Sequence, residues 1–154
     1  MKKLTFFLFI ILLSAPVNAQ FALKGGVSYV PKEISNYMFT GQFYKDLLVV
    51  SGDLSVPMRK SGKLSGAGRI GLGFGNYRIR FAGDAIAMYE NKKFRCGFGA
   101  ETNLRLCGPV GIFARWSRTF PICEHQYYNE VLWKRGRSEI SVGVVIDLMN
   151  GGCY

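Results

Sequence analysis

Three groups of residues have the types and spacing to do chemistry. Gly66, Gly68 and Gly71 in the stretch GAGRIGLGFG stand at the G-x-G-x-x-G spacing of a dinucleotide-binding turn. There, glycine lets the backbone approach a pyrophosphate held at a helix N-terminus. The residues that follow, IGLGFGNYRIRF, are poor in helix formers and interrupted by glycine, so the pattern reads as glycines within a strand and no cofactor is expected. Cys123 and His125 are the one place where two metal-ligating types stand close together, and there is no C-x-x-C pair. A solvated loop histidine is the simpler reading, and no metal is expected. His125 is the only histidine and has no adjacent serine or aspartate, so no nucleophile and base are assigned and catalysis is not expected.

The elements that would position any of these residues begin after an export signal. Lys2 and Lys3 precede the apolar run 4–13, and Val17-Asn18-Ala19 is a small-residue cleavage pattern before Gln20. Residues 1–19 therefore read as a secretory signal peptide and residues 20–154 as one domain. Its apolar run is too short to span a bilayer as a helix, and no later segment reaches the roughly 18 apolar residues required. Loss of Lys2 and Lys3 lowers the formal charge from +10 to +8. The basic residues are scattered along the chain, and direct nucleic-acid binding is not expected. Export also removes the chain from the compartment rich in nicotinamide cofactors.

Alternation with period two recurs from Phe21 to Met149, whereas helical periodicity is scarce. Candidate strands span 21–30, 37–44, 47–56, 63–75, 93–106, 110–120 and 139–149. In the last, Ile140, Val142, Val144, Ile146 and Leu148 share one wholly aliphatic face, opposite Glu139, Ser141, Gly143, Val145 and Asp147. Leu64, Ile70, Leu72 and Phe74 oppose Arg69 and its glycines in the same way. Glycines beside Arg69, Arg95, Arg105 and Arg115 would leave room for long side chains inside a narrow barrel.

Two architectures fit: a soluble lipocalin-like barrel binding a ligand in the periplasm, and a transmembrane barrel with lipid on its aliphatic face. The longest candidate strands, 11 to 14 residues, match the ~9 to 11 that cross a bilayer at a tilt and exceed the ~5 or 6 of globular sheets. The opposite faces mix signs, with Lys24, Arg69, Arg95, Arg105 and Arg115 against Asp53, Glu101, Glu139 and Asp147, as a self-neutralising lumen would. Phe74, Phe94, Trp116 and Phe120 lie near strand ends, where interfacial girdles form. The expected fold is thus an all-β, antiparallel up-and-down transmembrane barrel of about eight strands, in contact with outer-membrane lipid. Seven strands are clear. The eighth is expected at 127–134 or near the amino terminus, with short turns at 57–62 and 107–109 alternating with long segments 76–92 and 121–138. Ser141-x-Gly143-x-x-Ile146-x-Leu148 resembles the final-strand signal read by the barrel-assembly machinery, with aliphatic residues where aromatics are usual.

All four cysteines lie in the exported part, which favours two disulfides. Cys96 and Cys107 are 11 residues apart on one candidate strand, roughly 36 Å at ~3.3 Å per residue. A disulfide needs Cα atoms within ~7 Å. The expected pairs are Cys96 with Cys123, tying a long loop to the rim, and Cys107 with Cys153, fastening the tail.

Tyr44-Lys45-Asp46, Arg59-Lys60, Gly75-Asn76-Tyr77 and Ile140-Ser141-Val142-Gly143 carry a further resemblance. With them the chain resembles the small outer-membrane barrels of the Bacteroidetes, and among these is similar to the conjugal transfer protein TraO family of conjugative transposons. The resemblance implies a structural part of a DNA-transfer apparatus in the outer membrane, with other conjugation-apparatus proteins as partners and no catalytic residues. A general barrel for adhesion or envelope maintenance is the nearest alternative.

Overall fold

The computed structural model describes residues 20–31, 35–59, 64–76, 78–122 and 136–148. Eight strands follow one another around a closed antiparallel barrel: β1 (Gln20–Tyr29), β2 (Asn36–Lys45), β3 (Leu48–Pro57), β4 (Ser65–Gly75), β5 (Ile79–Glu90), β6 (Lys93–Cys107), β7 (Val110–Pro121) and β8 (Arg137–Asp147). β8 pairs with β1, from Ala22 opposite Asp147 to Tyr29 opposite Ile140. No strand edge is left open, which removes the unpaired backbone groups that a bilayer cannot satisfy.

The eighth strand is β5, and it corrects the expected connections. Residues 76–92 are not a long segment; they hold a 12-residue strand between two tight turns. The alternative position at 127–134 lies outside the described residues. β5 escapes a hydrophobicity reading because both its faces carry apolar residues. Ala82, Ile86 and Met88 turn inward beside Arg80, Asp84 and Glu90, while Gly83, Ala85 and Ala87 on the outer face are small. Its exit turn is equally inconspicuous: Asn91 and Lys92 have φ of 51° and 61°, the two positive values of a two-residue hairpin loop that usually has glycine second. With β5 in place, the strand ends at Tyr29, Asn36, Pro57, Ser65, Glu90, Lys93, Pro121 and Arg137 lie at one mouth. The turns at 46–47, 76–78 and 108–109 lie at the other, together with Gln20 and Asp147.

The outer surface is apolar on every strand. Ile70, Leu72 and Phe74 are 57 %, 64 % and 62 % exposed, and Ile140, Val142, Val144, Ile146 and Leu148 turn out of β8 as the alternation requires. Phe74 stacks on Phe81 with centroids 5.7 Å apart near the mouth with Gln20 and Asp147. Towards the opposite mouth Tyr89 packs on Phe94 at 4.8 Å, and Phe98 meets Trp116 at 5.7 Å and Phe120 at 6.2 Å. A contiguous apolar exterior between aromatic groups around a polar interior suits lipid and would be a liability in water.

Gly66, Gly68 and Gly71 all lie within β4, followed by another strand, and so build no phosphate-binding turn. Among the interior glycines, Gly99 answers to the expected crowding: a Cβ there would stand 2.6 Å from Asp84 Oδ1 and 3.0 Å from Arg69 Nη1. Gly71 is different, since its missing Cβ would meet the backbone of Gly83 and Asp84 on the adjacent strand.

Ile70, midway along β4, separates the lipid-facing barrel from a water-soluble one. Ile70→Arg should lower the unfolding free energy in lipid vesicles by about 2–4 kcal/mol, the cost of an arginine near the bilayer midplane, measured by urea titration. An unchanged titration midpoint would show that this face meets water.

Candidate functional site: a charged plug across the lumen

Inward-facing positions of seven strands, β1 to β7, converge at mid-barrel. Glu101 on β6 faces Arg115 on β7 as a direct cross-strand pair, and Arg115 Nε donates to Glu101 Oε2 at 2.7 Å. The Lys24 ammonium reaches Glu101 from β1, across the lumen. Gln42 Nε2 and Asn103 Nδ2 also donate to Glu101 Oε1, at 3.2 and 2.8 Å. Arg115 Nη1 extends to Asp53 Oδ1 on β3 at 3.0 Å. Asp53 also accepts from Thr40 Oγ1, its cross-strand neighbour, at 2.6 Å, and pairs with Arg69. Arg69 Nη1 continues to Asp84 Oδ1 on β5 at 3.4 Å.

Three cations, Lys24, Arg69 and Arg115, thus meet three carboxylates, Asp53, Asp84 and Glu101. All six side chains are buried, with Lys24 and Glu101 at 0 % exposure. Burying ions is costly unless charge and hydrogen-bonding capacity are both met. Here alternating signs and the polar groups of Thr40, Gln42 and Asn103 meet much of that demand. The cluster plugs the lumen, as expected for eight strands, whose interior is only wide enough for side chains. Beneath it Tyr44 and Phe113 form an aromatic layer, with Lys24 Nζ 5.3 Å from the Phe113 centroid.

The structure brings together Lys24, Asp53, Arg69, Glu101 and Arg115 from the expected charge network. Asp147 pairs with Arg105, but nearer the mouth where β1 begins and β8 ends. Arg95 lies towards the opposite mouth, donating from Nε to Thr119 Oγ1 at 3.1 Å and from an Nη to Thr119 O at 3.0 Å. Glu139 faces inward and is 8 % exposed, yet makes no ion pair among the described residues. Sequence reasoning missed Asp84, because β5 was missed. It also missed the Glu90–Arg137 pair near the opposite mouth. The period-two placement of Arg80, Asp84 and Glu90 was the available signal. In the final-strand motif, Ser141 is buried and Ile146 and Leu148 turn outward, as their spacing requires. Gly143 approaches Gly26 of β1, where a side chain would meet backbone.

Cys96 and Cys107 are exposed near opposite ends of β6, one continuous strand, and are not bonded to each other. Cys123 and Cys153, and with them both expected disulfides, lie outside the described residues. So does His125. No cluster of three or more metal-ligating side chains occurs among the described residues.

No family model matches the chain, and no curated protein matches it. Among solved structures it is similar to a chain described as "De novo design of transmembrane beta-barrels", with a TM-score of 0.59 at 11 % identity over 84 % of this chain and 95 % of that one. That likeness is one of fold alone, a transmembrane-type β-barrel.

Glu101 and Glu139 offer an internal comparison of two buried carboxylates. Glu101→Gln leaves Lys24 without its partner and should cost about 3–5 kcal/mol of unfolding free energy; Glu139→Gln should cost clearly less. Equal losses in parallel denaturant titrations would refute the plug as the stabilising cluster.

Proposed function

We propose that this barrel is a non-catalytic component of an outer membrane, serving as a structural part of a conjugative DNA-transfer apparatus as its resemblance to the TraO family implies. The observation that carries the membrane role is the inversion of polarity, with an apolar exterior around a lumen closed by paired charges. A plugged lumen offers no open passage for solutes or DNA, so the role is one of anchoring and docking. Two of the four segments that carry the family resemblance, 44–46 and the described part of 75–77, lie where strands turn at the mouth with Gln20 and Asp147. Asp46 there has φ 54°, and Asn76 Oδ1 accepts from the backbone N–H of Arg78 and Ile79 at 2.9 and 2.8 Å. Outer-membrane barrels place short turns towards the periplasm, so this mouth faces inward, towards the envelope-spanning partners of such an apparatus.

The disulfide pairing fits the same orientation. Ile122 N–H donates to Phe94 O at 3.2 Å, bringing the chain just before Cys123 to the strand end that holds Cys96. Asp147 N–H donates to Pro109 O at 2.9 Å, placing the end of β8 beside the turn after Cys107.

Membrane association, DNA transfer and peptide mapping test these readings. The native protein should stay with membranes through carbonate and high-salt washes and migrate differently on gels when unboiled. A donor lacking it should transfer DNA at lower frequency, restored by the wild-type chain. Extraction into buffer would point to a soluble ligand-binding barrel, and unaltered transfer to a general envelope role. Non-reducing peptide mapping of protein from the envelope should recover Cys96 with Cys123 and Cys107 with Cys153; a Cys96–Cys107 link, or four free thiols, would overturn the pairing.

A further inference from the structure

On the side of the plug away from Gln20 and Asp147 lies a small cavity of about 10 Å³, room for about one water-sized sphere. Two cross-strand pairs face it from opposite walls of the barrel. Ser55 of β3 stands beside Ser65 of β4, and Ser117 of β7 stands beside Glu139 of β8. All four line the cavity and all are buried. Among the described residues none of these four side chains has a hydrogen-bond or ion partner. Glu139 is the demanding member, at 8 % exposure, because an ionised carboxylate carries a full charge and only acceptors. A buried polar group of that kind is costly unless something satisfies it.

The charges already present nearby are spent elsewhere. Asp53 and Arg69 also line the cavity, but the Asp53 carboxylate accepts from Thr40, Arg69 and Arg115. Arg69 divides its charge between Asp53 and Asp84. Nearer the rim Arg137 is paired with Glu90, and Arg95 donates to Thr119. What remains is one carboxylate and three hydroxyl oxygens around a space of about one water's size. That set suits a hard cation of single charge. Neither the thiolate nor the imidazole that transition metals favour lines the cavity. Calcium takes about six to eight oxygen ligands, and magnesium keeps waters for which there is no room. An organic ammonium exceeds the space. We propose that the cavity binds one alkali cation of sodium's class, held by the Glu139 carboxylate and the hydroxyl oxygens of Ser55, Ser65 and Ser117. Bound there, the ion ties β3 and β4 to β7 and β8, a second link across the lumen beside the charged plug. This inference is independent of the proposed role in DNA transfer.

The test uses the folded full barrel in micelles of an uncharged detergent, with sodium exchanged for choline at constant ionic strength. Excess ²³Na line broadening should appear with the wild-type barrel and saturate. Potassium should remove it by competition; choline, too large for the cavity, should not. The urea midpoint should rise with sodium in parallel, because an ion that binds only the folded state stabilises it by mass action. Glu139→Gln should weaken sodium binding about tenfold or more, at least the loss seen when a group behind a metal ligand is removed. Ser117→Ala should weaken it to a lesser degree. Asp46→Asn, an equal charge change at the other mouth where asparagine accepts the positive φ, should leave binding unaltered. Absence of saturable broadening, competition by choline, tighter binding of magnesium or calcium than of sodium, or an unchanged affinity in Glu139→Gln would overturn the proposal. So would a midpoint that follows pH and ignores sodium, which would show a proton alone on Glu139. If Glu139→Gln does not fold, the wild-type competition and Ser117→Ala decide.

Discussion

Glu101 accepts from Lys24 across the lumen and from Arg115 on the next strand, and Arg115 in turn reaches Asp53 on the far wall. These are bonds between strands that are not neighbours in the sheet: β1 to β6, and β7 to β3. Backbone ladders fix the order of strands around a barrel, yet by themselves they set no contact across it. The cross-lumen pairs do, because they close only at one diameter. Since an unpaired ion in that interior is far costlier than a paired one, the six charges act as a gauge of correct closure. A slipped register at β8–β1 would turn alternate residues to the wrong face and separate Lys24 from Glu101.

The same crowding accounts for small residues where strands would otherwise favour branched ones. Gly99 lies beside Arg69 and Asp84, and a methyl group there would displace the guanidinium that links β4 to β5. Gly26 and Gly143 face one another across the closing pair β1–β8, where a side chain on either would meet the other's backbone. Glycine weakens an isolated strand; here the closed hydrogen-bond ladder supplies the order that the residue itself lacks.

Legibility followed physical contrast. β8 was evident because its aliphatic residues alternate without exception with polar or small ones, Val145 apart, and lipid rewards that separation. Lys24, Asp53, Arg69, Glu101 and Arg115 were identified as lumen charges by parity alone, since each stands opposite an outward apolar neighbour. β5 was missed because parity in hydrophobicity fails there. Its inward Ile86 and Met88 fill space above the plug, and its outward Ala85 and Ala87 are too small to mark a lipid face. The partners within the cluster were less legible than its members: Asp147 meets Arg105 rather than the central group, and Lys24 meets Glu101 across 77 positions of sequence. Parity gives the face of a residue, whereas pairing depends on shear and tilt, which no local pattern records.

A barrel whose lumen is closed at mid-height can act only through its outer surface and its two mouths, and the mouths differ. At the one with long connections, Glu90 is paired with Arg137, and Arg95 is bonded to Thr119. At the one with Gln20 and Asp147, Arg78 of the β4–β5 turn and the strand residues Arg80 and Arg105 line an open vestibule together with Asp147. Tight turns are the rigid end of a hairpin barrel, because two- and three-residue loops leave little backbone freedom to the groups they carry. Asn76 adds to this by accepting from two turn N–H groups, which fixes the backbone of Arg78. Positive charge on a rigid rim keeps its geometry when nothing is bound, so less ordering entropy opposes recognition there than on a long loop. The plug makes that rim possible in turn. At mid-barrel it keeps Asp53, Asp84 and Glu101 bound to their own cations, so that those interior charges are matched among themselves.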